Sequence, residues 1–95
     1  AEQTDKPAVV VLYAGWCGWS KKLLNDSLTD PRVKRYKDRF VWIKIDSDQN
    51  QAIKKRYDQQ GYPLVLILNG DQAVEQRIDG FRDAGTLASL LREVS

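Results

Sequence analysis

Residues 8–22 read AVVVLYAGWCGWSKK, and this stretch places a single cysteine directly after an apolar run. Residues 8–14 are almost entirely apolar and mostly β-branched, which is typical of a central strand buried on both faces. Gly15 interrupts that run, and a helix is predicted to begin near Gly18. Cys17 therefore lies at the start of a helix, where the first backbone N–H groups have no partner within the helix. One apolar face of this helix is expected to carry Trp19, Leu23, Leu24 and Leu28.

The next elements follow from capping residues and apolar spacing. Asp30-Pro31 is typical of an N-cap followed by proline at the first helical position, and predicts a short helix that turns Val33 and Tyr36 inward. Residues 40–46 predict a second strand, with one face formed by Val41, Ile43 and Ile45. Residues 50–57 predict a further helix, with Ile53 and Tyr57 spaced by four.

The last third of the chain predicts two strands and a helix. Residues 64–68 form another apolar strand, and 73–79 a half-exposed one. Asn69-Gly70 between them indicates a hairpin. Asp83 is expected to cap a final helix whose buried stripe consists of Leu87, Leu90, Leu91 and Val94.

The predicted order β, α, α, β, α, β, β, α belongs to the α/β class. The first two strands are joined by about 25 residues of helix, long enough for a right-handed parallel crossover. We therefore expect a mixed four-stranded sheet, with two parallel strands plus an antiparallel hairpin and helices on both faces. Residues 1–95 are expected to form one domain, with residues 1–7 as an N-terminal arm.

Composition excludes several classes of site. The 15 basic and 13 acidic residues alternate rather than form a stripe, which argues against a nucleic-acid partner. With one Cys and no His, neither a Cys/His metal site, a Cys–His or Ser–His catalytic pair nor an internal disulfide can form. No apolar run approaches the roughly 20 residues needed to span a bilayer. The acidic segment at Asp46, Asp48 and Asn50 lacks the spacing of a calcium loop and is interpreted as a turn after a strand.

Cys17 is the candidate nucleophile. Unpaired N–H groups and the helix dipole at its position favour the thiolate, which is the reactive form in disulfide exchange. Trp16 and Trp19 flank it and offer an apolar surface to a partner protein. Two plainer interpretations stay open at this point: the cysteine could be a small buried hydrophobe, and either tryptophan could belong to the core.

Three motifs together resemble the thioredoxin superfamily. Residues 16–22, WCGWSKK, resemble its W-C-x-x-C-K motif with Ser20 in place of the second cysteine. Gly61-Tyr62-Pro63 resembles the cis-proline loop, and Gly80 matches a glycine lining the same site. Residues 6–17, 29–33 and 80–92 are similar to the C-terminal periplasmic domains of the DsbD family of transmembrane disulfide reductases. Secreted thioredoxin-like reductases are a nearly equal match.

The resemblance implies a thioredoxin-like fold and a thiol–disulfide oxidoreductase that reduces exported proteins. It makes Cys17 the attacking cysteine and places Ser20 at the position of the resolving one. It gives Tyr62 a backbone contact with the substrate and makes Pro63 cis, although turn chemistry alone leaves cis and trans open. The other substrate-binding residues that it implies are Trp16, Gly18, Trp19 and Gly80.

The resemblance also implies the partners and the compartment. Partners are protein disulfides and an upstream thiol donor, with a membrane protein as a candidate, and neither a small cofactor nor a metal is implied. The chain is expected to be a monomer in the periplasm or another exported compartment, with the cytoplasm left open. An Ala-Glu-Gln beginning fits a mature exported protein, and equally a piece cut from a longer chain.

The chain departs from the family pattern at three positions. Ser20 cannot resolve a mixed disulfide, so the site is either a substituted two-cysteine site, which its surroundings favour, or a natural one-thiol site that uses glutathione or another thiol. Val11 and Leu24 stand where relatives carry acids that would raise the thiol pKa by like-charge repulsion. We therefore expect a more acidic Cys17 than in those relatives. A binding module without catalysis and a redox-inert domain remain as further alternatives.

Overall fold

The computed structural model describes residues 6–71 and 73–94. The arm expected at residues 1–7 lies largely outside the described residues, which begin with Lys6 and Pro7. The strands are β1 (Ala8–Tyr13), β2 (Val41–Asp46), β3 (Leu64–Leu68) and β4 (Val74–Asp79). The helices are α1 (Gly18–Lys22), which continues into a π-helical segment (Leu23–Ser27), then α2 (Pro31–Lys34), α3 (Gln51–Arg56) and α4 (Ala84–Val94).

The four strands form one mixed sheet in the order β2-β1-β3-β4. β1 pairs parallel with β2, and β3 pairs antiparallel with both β1 and β4. This confirms the predicted combination of a parallel pair and an antiparallel hairpin. β1 and β3 occupy the two central positions and are buried almost throughout, which explains why their sequences are nearly continuous apolar runs.

Alternating residues of the central strands pack into two hydrophobic cores, one on each side of the sheet. On one face, Val9, Val11, Val65 and Ile67 pack with residues of the α1–π segment, α2 and α4. On the other face, Val10, Leu12, Leu64 and Leu66 form a second cluster, against which Ile53 and Tyr57 of α3 and its C-cap pack. The expectation of helices on both faces is therefore confirmed.

The buried face of the first helix differs from the prediction at one residue. Leu23 is fully buried, and Leu24 and Leu28 pack partly buried against the core. Trp19 is 58% exposed, and Ser20 takes the inward position with no exposed surface. The prediction for Trp19 was wrong because apolar spacing alone could not show that a serine hydroxyl would be needed inside. Ser20 Oγ accepts a hydrogen bond from the Ala14 N–H at 3.3 Å.

The caps of the later helices agree with their sequence signals. Asp30 Oδ1 accepts from the Arg32 N–H at 2.9 Å, and both Val33 and Tyr36 are buried. Asp83 Oδ1 accepts from the Thr86 N–H at 2.9 Å at the start of α4. The predicted stripe of α4 is present, with Leu87 and Leu91 buried and Leu90 and Val94 partly buried.

The hairpin between β3 and β4 has a wider loop than a two-residue turn. The Asn69 N–H donates to the Ala73 carbonyl at 2.9 Å. The Asn69 side-chain oxygen accepts from the N–H groups of Asp71 and Ala73. Asn69 thus organises the turn with its side chain, a common use of asparagine in loops.

Candidate active site

Cys17 occupies the junction between β1 and α1. It is the N-cap residue of α1, with an extended backbone (φ −86°, ψ 121°). Its N–H donates to the Ala14 carbonyl at 3.1 Å, and its own carbonyl accepts from the Lys21 N–H at 3.1 Å. The sulfur is therefore held at the end of a buried central strand and at the beginning of a helix, and it is partly exposed.

The surroundings of the sulfur favour the thiolate. Partial burial raises the pKa of the Cys17 thiol, but hydrogen bonds from the Ser20 N–H, the Ser20 hydroxyl and the Trp19 N–H outweigh it. The net effect lowers the pKa below the ordinary value of a cysteine. In the thiol form Sγ also lies 3.9 Å from the Tyr62 carbonyl oxygen, a long contact that opposes ionisation only weakly. The sulfur is therefore a more ready nucleophile than a free cysteine.

The loop before β3 forms the opposite side of the site. The Tyr62–Pro63 peptide bond is cis, and the Tyr62 carbonyl faces the sulfur. The Gly80 N–H donates to the Pro63 carbonyl at 2.8 Å, which ties the end of β4 to this loop. Gly80 has φ +95°, a conformation that side-chain-bearing residues rarely adopt.

Two pairs of aromatic rings include the tryptophans that flank Cys17 in the sequence. Trp16 is 67% exposed, and its ring meets the Tyr62 ring edge-on with centroids 5.4 Å apart. Trp19 packs on Phe81 with centroids 5.4 Å apart. A shallow depression of about 350 Å³ is lined by Trp19, Tyr62, Gly80 and Phe81.

The structure places the sequence-predicted site residues at one end of the sheet. Trp16, Cys17, Tyr62 and the Pro63 loop are in contact or adjacent, and Gly80 and Trp19 join them through the depression. Ser20 lies beneath the sulfur rather than on the surface. Gly18 is exposed, and a Cβ there would meet open space, so no close approach requires glycine at that position.

Two residues of the site were missed by sequence reasoning. Phe81 follows Gly80 directly, and its ring contacts both Trp19 and the Lys22 ammonium, the latter 5.3 Å from the ring centroid. Asp48 Oδ2 accepts a hydrogen bond from the Trp16 indole Nε1–H at 3.1 Å. An aromatic residue next to the matching glycine was a usable signal for Phe81. Asp48 had none, because 32 residues separate it from its partner.

The acidic segment after β2 is a turn, as predicted. The Asp48 N–H donates to Asp46 Oδ1, and Asn50 Oδ1 caps α3 by accepting from the Ile53 N–H. Within residues 6–71 and 73–94, no group of three or more His, Cys, Asp or Glu side chains is arranged to hold a metal ion. In that same part of the chain, no helix combines the length and apolar character needed to cross a membrane.

This fold and this thiol define a thioredoxin-like protein. A family model described as thioredoxin-like matches residues 1–70, so the chain belongs to that family. Among solved structures, it is similar to a thioredoxin from Thermus thermophilus, with 25% identity and a TM-score of 0.86 over 99% of this chain and 77% of that one. It is also similar to the reduced C-terminal domain of DsbD from Neisseria meningitidis, with 28% identity and a TM-score of 0.75 over 96% and 83% of the two chains.

Two curated relatives are named for disulfide isomerisation or disulfide interchange. The chain is 32% identical over 95 residues to protein disulfide-isomerase erp38 of Neurospora crassa, covering 96% of this chain and 25% of the relative. It is 29% identical over 99 residues to the thiol:disulfide interchange protein DsbD of Klebsiella pneumoniae, covering 98% and 17%. The chain thus spans a quarter or less of the length of these two relatives. The chain is therefore a member of the thioredoxin-like family that resembles DsbD.

Proposed function

We propose that this domain reduces disulfides of exported proteins through a mixed disulfide at Cys17. One observation carries the proposal: a partly exposed sulfur with a lowered pKa lies 3.9 Å from the backbone carbonyl of Tyr62. An extended polypeptide lying along that loop would bring its own disulfide to the nucleophile. Trp16 and the Trp19–Phe81 pair would cover the bond on either side, which favours apolar residues next to the substrate cysteines.

The first half of the reaction needs only residues of this chain. The Cys17 thiolate attacks one sulfur of the substrate disulfide, the substrate S–S bond breaks, and its other sulfur leaves as a thiolate. A new S–S bond now joins Cys17 to the substrate. In a two-cysteine site, a thiolate at position 20 would attack Cys17 Sγ, release the substrate as a thiol and leave an internal disulfide. An upstream dithiol would reduce that disulfide, and a membrane-protein donor fits this role.

Ser20 stops this cycle at the mixed disulfide. Its hydroxyl is not a competent nucleophile toward sulfur, but as a hydrogen-bond donor to the thiolate it supports the first step. The protein as it stands would therefore trap substrates, or it would depend on an external thiol such as glutathione to release them. Ser20 is fully buried, and its hydroxyl accepts a hydrogen bond from the Ala14 N–H. A serine with a structural partner of this kind is compatible with a natural one-thiol site, which supports the alternative.

Restoring the second cysteine tests the proposal. We expect Ser20→Cys to catalyse insulin reduction by dithiothreitol, and the Cys17→Ala/Ser20→Cys double variant to be inactive. If Ser20→Cys, folded by circular dichroism, gives no rate above that double variant, the reductase proposal fails.

A second experiment separates trapping from one-thiol catalysis. The unaltered protein is mixed with a peptide disulfide, and the covalent adduct is followed by mass spectrometry as glutathione is added. An adduct that persists favours the trapping form, whereas rapid turnover by glutathione favours the one-thiol enzyme. Partner binding that survives Cys17→Ala without any adduct would instead favour a binding module. We further propose that the domain acts as a monomer without a small cofactor, in the periplasm or another exported compartment.

A further inference from the structure

A second cavity lies between the π-helical segment, α2 and β2, and shares no lining residue with the candidate active site. Its volume is about 400 Å³, within the range of small-molecule sites. Val11 and Leu24 line it, together with the indole of Trp42 on β2. Its lining is predominantly apolar, as in most ligand pockets of proteins.

Trp42 is held in a fixed position in this cavity. Its indole Nε1–H donates to the Lys37 carbonyl at 3.1 Å, and its ring packs edge-on against Phe40 at 6.0 Å between centroids. The polar atom of the indole is therefore satisfied within the protein. The indole therefore offers a bound molecule its apolar ring, held in one orientation by the hydrogen bond and by Phe40.

Three lysines also line the cavity, and no acidic residue does. They are Lys34, Lys37 and Lys44, all of which are exposed. In the part of the chain that the structure describes, none of these three side chains has an ion-pair or hydrogen-bond partner. Val11 pairs with Lys44 across the sheet, so an acid at position 11 would face a lysine on the same side of the sheet. With Val11 and Leu24 apolar, the positive charge is left uncompensated above an apolar interior.

We propose that this cavity binds an amphiphilic anion, an aliphatic chain that ends in a carboxylate. The apolar walls would take the chain, because burial of methylene groups is favourable in proportion to the area removed from water. The three ammonium groups at the rim would hold the carboxylate. A neutral chain of the same length would gain only the burial of its methylene groups. A short carboxylate would gain only the attraction to the lysines. Binding at this site requires neither the Cys17 thiol nor a disulfide.

Decanoate below its micelle-forming concentration is a suitable probe, and the protein carries its own reporters. The chain has three tryptophans; Trp42 lines the cavity, while Trp16 and Trp19 lie at the thiol. In the ¹⁵N-labelled 95-residue chain we expect the indole resonance of Trp42, assigned with Trp42→Phe, to move saturably with decanoate. The indole resonances of Trp16 and Trp19 should not move. Decanol should bind at least about fivefold more weakly, because it lacks the charge that the lysines recognise.

Charge variants test the rim. Lys34→Gln/Lys37→Gln/Lys44→Gln should weaken decanoate binding by about tenfold, since each exposed ion pair contributes little alone. A matched triple variant that removes equal charge elsewhere, Lys6→Gln/Lys21→Gln/Lys55→Gln, should change it by less than about twofold.

A substitution inside the cavity tests the interior. Leu24→Glu should abolish decanoate binding, because its carboxylate competes for the lysines and repels the ligand, whereas the isosteric Leu24→Gln should retain most of it. If Leu24→Glu does not fold, decanoate binding by Leu24→Gln and by the two lysine triple variants still tests the proposal. No saturable shift at Trp42, equal binding of decanol, or equal effects of the two lysine triples would each overturn the proposal. None of these results bears on insulin reduction by Ser20→Cys.

Discussion

Ser20→Ala removes one hydroxyl that serves two partners in the interior. The Ala14 N–H, also buried, loses the Ser20 acceptor. Leaving a buried donor unsatisfied costs about 1–3 kcal/mol. For a domain of this size, a loss of about 2 kcal/mol lowers Tm by roughly 8–16 °C.

The same variant changes the titration of Cys17. The Ser20 hydroxyl is one of the groups that lower the thiol pKa, while burial continues to raise it. We therefore expect the pKa of Cys17 to rise in Ser20→Ala, and the pH at which it begins to react with a small disulfide to rise with it. Because the pKa is lower in the folded than in the unfolded state, the thiolate stabilises the fold fully above the unfolded value, about 8.5 for free cysteine. That stabilisation is lost as the pH falls through the folded value, so the deficit of Ser20→Ala is largest at alkaline pH.

Thermal unfolding across pH and ultraviolet absorbance of the thiolate measure both effects. Ser27→Ala is the matched control, since Ser27 is equally buried and donates to the Arg82 carbonyl at 2.8 Å, away from the sulfur. It should lower Tm without moving the titration of Cys17. An unchanged Cys17 titration in Ser20→Ala would refute the claim that the Ser20 hydroxyl donates a hydrogen bond to the thiolate. A Tm within about 2 °C of the parent would refute the claim that the unpaired Ala14 N–H destabilises the fold.

The remaining predictions concern the walls of the site and its electrostatics. Gly80→Ala forces a side chain into φ +95° and should destabilise the fold by about 1–2 kcal/mol in urea unfolding; an unchanged midpoint would contradict this. Asp48→Ala should free the Trp16 indole and lower its fluorescence anisotropy, whereas Asp48→Asn, which keeps an acceptor, should have little effect; equal anisotropy in both variants would count against the hydrogen bond. Leu24→Glu should raise the pKa of Cys17 through like-charge repulsion and Leu24→Gln should not, as read from the rate of thiol alkylation against pH.

Strong, local signals made most of the fold predictable. The runs at 8–14 and 64–68 are apolar because their strands are central, and the capping residues Asp30 and Asp83 fall within one residue of the helix starts. The orientation of Trp19 could not be predicted in the same way. Periodicity orders residues around a helix, but it does not reveal that an inward hydroxyl must pair with the Ala14 N–H.

The candidate site was predictable where residues are adjacent in sequence or where a family motif marks them, as at Tyr62, Pro63 and Gly80. Cys17 could be found because a cysteine after an apolar strand and before a predicted helix lies where unpaired N–H groups and the helix dipole favour the thiolate. Asp48 and the lysine-rimmed cavity could not, since both depend on side chains that meet only after the parallel crossover places β2 beside β1. The family resemblance marked Val11 and Leu24 as positions where relatives carry acids, but nothing in the sequence placed either residue in a cavity beside lysines.

The central position of β1 also determines how often the strand that precedes Cys17 opens locally. Amides of a strand that is paired on both sides exchange with solvent only in the larger openings of a protein, whereas edge strands open more readily. β2 and β4 lie at the two edges, so we expect amide exchange to be faster there and slowest along β1 and β3. Cys17 follows β1, which is paired on both sides. We therefore expect the position of its sulfur to be kept when β2 or β4 opens locally, including openings of β2 that disrupt the cavity beside it.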